Sequence, residues 1–115
     1  MKAVTYQGHK NMEVREVHDP IIEESTDAII KITASGICGS DLHLYHQGDL
    51  FMDPDFVIGH EPMGIVEEVG KEVKTLKKGD RVVIPFNIGC GDCFYCNNEM
   101  ESQCDNLIHH RQVGK

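Results

Sequence analysis

Apolar and polar residues alternate from Met12 to Val17, and a two-residue period predicts a strand with one face covered. Ala28-Ile29-Ile30-Lys31-Ile32 is dense in β-branched side chains and predicts a central strand. Gly64-Ile65-Val66-Glu67-Glu68-Val69-Gly70 predicts another, bracketed by glycines, with Glu67 and Glu68 on its edge and solvent face. Lys77-Lys78-Gly79-Asp80 predicts a turn into a strand over Arg81-Val82-Val83-Ile84, which Pro85 either ends or confines to a sheet edge. One short helix is predicted from Cys38 to Tyr45: Leu42 and Tyr45 stand three apart, and Ser40 offers an N-cap. Short strands between glycine turns predict a mainly β fold, a small barrel or sandwich. No repeat, low-complexity tract or linker divides the chain, and residues 107–115 lack periodicity and predict a flexible tail.

Composition narrows this picture. A chain of 115 residues can bury a core without disulfides, since staples become necessary below about 40 residues. The five cysteines are therefore not needed as staples, and an odd count suits a fully paired set badly. No apolar h-region follows Met1, and no apolar run approaches the roughly 18 residues of a membrane span. A cytoplasmic, reducing setting is expected, with no membrane partner; there, clustered cysteines bind metal or do chemistry. A formal charge of −8 speaks against a nucleic-acid partner, which selects a basic surface.

Four cysteines, Cys90, Cys93, Cys96 and Cys104, fall within "CGDCFYCNNEMESQC". A C-x-x-C turn aims two sulfurs at one point, and here two such turns overlap while Cys104 supplies a fourth corner. Gly89 and Gly91 ease the backbone where it bends. A redox pair needs only two of the four, so a structural zinc with four thiolates is the predicted occupant. Such a site is closed to water and substrate, and it stabilises without catalysing.

Cys38, His60 and Glu61 lie in two other segments, "GICGSDLH" and "GHEPMGIVEEVGKEV". They could converge on a second metal. By themselves they also suit a small buried cysteine and a surface histidine. His9, His18, His46, His109 and His110 read as solvated, and Phe86, Phe94 and Tyr95 as packing around the lobe.

Gly59-His60-Glu61, then Gly64, Gly70 and Val73, fill the fixed positions of the metal-histidine signature of the zinc-dependent alcohol dehydrogenases in the medium-chain dehydrogenase/reductase family. Cys38-Gly39-Ser40-Asp41-Leu42-His43 and the four-cysteine lobe follow that family's order and spacing. Over residues 1–106 the chain thus resembles the N-terminal, GroES-like catalytic domain of these enzymes. The loops of the lobe resemble most the formaldehyde-dehydrogenase-like branch. The resemblance implies a GroES-like small β barrel with a short helix and a zinc-binding lobe. It implies Cys38 and His60 as ligands of a catalytic zinc, Glu61 as an occasional ligand, and Asp41 as the acid that orients His60. It further implies that zinc polarises a small alcohol, whose hydride passes to NAD(P), while Ser40 and His43 carry off the proton. Gly39 stands where some members place a basic residue for the cofactor phosphates, and the sequence holds no G-x-G-x-x-G. The expected reading is an N-terminal portion lacking the Rossmann domain, binding zinc but inactive alone. Its bare strand edges predict a homo-oligomer. The alternative is a stand-alone structural zinc module of the same fold.

Overall fold

The computed structural model describes residues 1–47 and 53–106. The expected flexible tail, 107–115, lies outside them. Strands β1 (Lys2–Gly8) and β2 (Asn11–Glu16) form a hairpin, followed by β3 (Ala28–Ser35) and the helix α1 (Gly39–Gln47). A two-residue strand β4 (Phe56–Val57), β5 (Pro62–Val69) and β6 (Arg81–Val83) complete the sheets. The strands pair antiparallel as two three-stranded sheets, ordered β2-β1-β4 and β3-β5-β6. The fold is mainly β with one short helix, as the sequence predicts.

Two strands differ in place from their predictions. The alternation at Met12 to Val17 predicted a half-covered strand, yet β2 is a sheet edge and Val14 is 67% exposed. β3 was expected to be central and is also an edge, with Ile32 half exposed. β-branched residues favour a pleated backbone, but they do not count its neighbours. The middle of that sheet belongs to β5, whose Val66 is fully buried. β1 went unpredicted because Thr5 and Tyr6 are adjacent and both buried, so a central strand shows no alternation. Pro85 acts as expected: β6 is an edge that stops at Val83, with Ile84 N–H still bonded to Pro62 O at 2.9 Å.

This arrangement sets up the sites. The segment after β3 starts α1 from one sheet. The segment between β4 and β5 crosses from the other sheet, so residues from both sheets meet at the crossing.

Candidate metal centres

Cys38 precedes the first turn of α1. Its thiol accepts the Ser40 N–H at 3.3 Å, and Asp41 Oδ2 accepts the Cys38 N–H at 2.9 Å. This reciprocal exchange is a capping box, so Cys38, and not the expected Ser40, is the N-cap. The Ser40 hydroxyl, then its N–H, hold the Cys38 thiol below its ordinary pKa.

His60 arrives from the other side. Gly59 has φ 109°, a conformation that side-chain-bearing residues avoid, and it turns His60 toward Cys38. His60 Nε2 lies 3.0 Å from Cys38 Sγ and 3.3 Å from Ser40 Oγ, and the hydroxyl lies 2.9 Å from the thiol. His60 Nδ1 lies 3.3 Å from Asp41 Oδ1. Burial pulls the imidazole pKa down, but Cys38 and Asp41 outweigh it and the net direction is up. Asp41 therefore holds both residues, one through its backbone N–H and the other through its ring.

The remaining expected site residues stand further off. Glu61 is not among the ligand atoms of Cys38, Asp41 and His60 that cluster within 4.8 Å. Its carboxylate lies against Gly36, where a Cβ would collide with it. His43 places its ring on Gln47 Nε2 at 3.4 Å, not on Ser40. Phe86, expected to pack around the lobe, instead stands edge-on to His60 with centroids 6.5 Å apart. Nothing in its sequence context signals that contact.

The second cluster is the lobe. The sulfurs of Cys90, Cys93, Cys96 and Cys104 all lie within 4.8 Å of one another, and Cys93 Sγ is 3.8 Å from Cys104 Sγ. Four thiolates around zinc define a tetrahedron with edges of about 3.8 Å. Gly89 gives Cys96 its room: a Cβ there would stand 2.9 Å from Cys96 Sγ. Backbone N–H groups aim at the sulfurs, Cys90 N at Cys104 Sγ (3.3 Å) and Cys96 N at Cys93 Sγ (3.5 Å). The N–H groups of Asp92 and Cys93 bring the Cys90 thiol down to about 6. The Gly91 N–H pulls Cys96 down too, but burial and the three neighbouring cysteines push it up to about 12. Four thiols this close to one another do not ionise together unless a cation neutralises them, which is the chemistry of a metal ligand set.

The first cluster fits zinc less completely. A shared zinc holds a thiolate sulfur and an imidazole nitrogen about 3.5 Å apart, slightly further than the direct contact here. Asp41 sits on the ring nitrogen facing away from Cys38. The donors that converge are thus a thiol, an imidazole and a hydroxyl.

Residues 24–114 match the alcohol dehydrogenase GroES-like domain, and the chain belongs to this family of zinc-type alcohol dehydrogenase domains. It is 63% identical over 114 residues to the uncharacterized zinc-type alcohol dehydrogenase-like protein AdhB of Bacillus subtilis strain 168, covering 99% of this chain and 30% of that protein. It is 40% identical over 114 residues to the medium chain reductase/dehydrogenase ucsI of an Acremonium species, covering 99% of this chain and 38% of that protein. Among solved structures, the alcohol dehydrogenase TADH from Thermus sp. ATN1 superposes with a TM-score of 0.82 at 42% identity, over 92% of this chain and 30% of that one. The chain therefore spans 30–38% of the length of these two curated relatives. Among the described residues, no helix is long and apolar enough to cross a membrane.

Proposed function

We propose that this chain is the zinc-binding part of an alcohol dehydrogenase that oxidises a small alcohol to an aldehyde or ketone, with NAD(P) taking the hydride. The observation that carries this reading is the meeting of Cys38, His60 and Ser40 with Asp41 behind them. A purely structural zinc module needs only the four-cysteine lobe and has no use for that second constellation.

Zinc on Cys38 and His60 would supply Lewis acidity to an alcohol oxygen. Ser40 Oγ lies beside both ligand atoms and is placed to take the alcohol proton. His43, one turn along α1, is the end of the relay that delivers that proton to water. Glu61 serves as an alternative metal ligand. Cys90, Cys93, Cys96 and Cys104 hold a closed structural zinc. Clustered thiols that bind metal suit the cytoplasm, and the loops of the lobe resemble most those of the formaldehyde-dehydrogenase-like branch.

The chain alone is expected to transfer no hydride. Its sequence carries no dinucleotide fingerprint, and holding the nicotinamide beside the substrate carbon is worth about 7–11 kcal/mol of the barrier. The test supplies zinc, small alcohols and both nicotinamide cofactors, and follows the reduced-cofactor absorbance. Turnover above a Cys38→Ser control would contradict the expectation. Joined to the part of the Bacillus relative that it does not cover, the chain should turn over and lose activity on Cys38→Ser. A zinc-loaded, folded chimera without activity would overturn the dehydrogenase reading.

We also propose self-association. Ile32 (50% exposed), Val83 (73%) and Phe86 (65%) leave apolar surface bare, and among the described residues β3 and β6 are open edges. Light scattering should give the mass of two or more chains; a monomer at every concentration would refute this.

A further inference from the structure

His60 is delivered by a thin piece of backbone. β4 is two residues long and, among the described residues, pairs only with β1, Val57 opposite Thr5 and Phe56 opposite Tyr6. Ile58 N–H reaches Val4 O at 3.1 Å, Gly59 turns the chain, and His60 follows. A ladder this short fixes its register weakly, and a slip of one residue would turn every following side chain to the opposite face.

A polar clamp sits at the start of the segment. Asp55 N–H donates to Tyr6 O at 2.9 Å. Asp55 Oδ1 accepts from Gln7 Nε2 at 2.8 Å and from Arg15 Nη1 at 2.7 Å. Gln7 Nε2 also donates to Oγ1 of the fully buried Thr5 at 2.8 Å, and that hydroxyl donates to Glu13 O at 3.1 Å. Arg15 Nε is steadied by Glu13 Oε2 at 3.1 Å. The carboxylate thus bridges β1 and β2 and pins the segment to both. Its backbone is committed as well, with φ 73°, a left-handed conformation that Asp, Asn and Gly tolerate best. Gln7 first, then Arg15, keep its carboxyl ionised below the usual carboxylate range. A single exposed ion pair is worth little. Here the pair is one strand of a network rooted in a buried hydroxyl.

We propose that Asp55, gripped by Gln7 and Arg15, is a positioning residue that sets the register of the segment carrying His60 to Cys38. The inference rests on the reading of Cys38 and His60 as metal ligands, and it concerns geometry that exists with or without the ion. Asp55 touches neither ligand and acts only through the backbone between 55 and 60.

Two substitutions separate the clamp from the backbone strain. Asp55→Gly keeps the left-handed turn and removes the carboxylate. Asp55→Asn keeps the turn and an acceptor oxygen for Gln7 and Arg15. Zinc competition titration of the intact chain, with the lobe already loaded, reads the affinity of the Cys38–His60 site. Asp55→Gly and Arg15→Met are each expected to weaken it by about five- to tenfold, while Asp55→Asn stays within about twofold of the parent. The four-cysteine zinc should be unaffected in all three. The His60 ring resonances, recorded before the second ion is added, should move in Asp55→Gly and return in Asp55→Asn. A parent chain that takes no second zinc defeats the metal reading, yet the His60 resonances still decide the positioning claim. Unmoved resonances in Asp55→Gly, or equal zinc affinity in parent and glycine variant, would overturn it.

Discussion

Cys93→Ser is expected to release zinc from the lobe and to unfold residues 90–104 while both sheets stay in place. The lobe has almost nothing else to hold it. Between residues 86 and 106 the one buried residue is Cys104, and the regular structure is two 3-10 turns, Cys96–Asn98 and Glu101–Gln103. Where a closed zinc site supplies the folding energy, its apparent binding free energy is about 10–16 kcal/mol. Cys93 Sγ lies 3.8 Å from Cys104 Sγ and accepts the Cys96 N–H, so its loss removes both a ligand and an anchor of the turn. Zinc content after gel filtration should fall by one ion per chain, and amide exchange over 90–104 should approach that of an unfolded segment. Exchange in β1 and β5 should hold. Full zinc content with unchanged protection of the lobe would contradict the assignment.

Asp41→Asn is expected to weaken metal binding at Cys38 and His60 by about 10–100-fold, the usual loss when the partner of a metal-binding histidine is removed. The carboxylate does two things at once: Oδ2 accepts the Cys38 N–H and Oδ1 faces His60 Nδ1. An amide has one acceptor oxygen. Asparagine can keep the cap or the ring, and its NH2 then faces a donor at the other. Zinc competition titration should show the loss at this site alone, with the lobe unchanged. Equal affinities in Asp41→Asn and the parent would remove Asp41 from this role.

The spacing of the four lobe cysteines was legible because ligand geometry is local: each C-x-x-C turn brings its sulfurs together whatever surrounds it. The meeting of Cys38 and His60 is not local. It depends on one segment leaving the β3 sheet and another crossing from the β4 strand, and residue spacing carries no record of which sheets adjoin. The helix at Cys38 was visible, but its cap was misplaced. Serine is the commoner cap, and only the structure shows Asp41 turning back onto the Cys38 N–H. β3 looked central because Ile29, Ile30 and Ile32 advertise a strand strongly, whereas edge or centre depends on partners elsewhere in the chain. β1 was hidden for the opposite reason, two neighbouring buried residues that cancel the alternation. The Asp55 clamp joins three strand segments through exposed polar groups, and no periodicity marks such groups.

Cobalt titration of the metal-free, reduced chain tests the two-site account most directly, because thiolate-to-cobalt absorption counts sulfur ligands at each step. The first ion should give the intense bands of four thiolates. A second, weaker-binding ion should add a smaller band from one thiolate, absent in Cys38→Ser and in His60→Ala while the first set is kept. Saturation at one ion, with the spectrum indifferent to Cys38 and His60, would contradict the account.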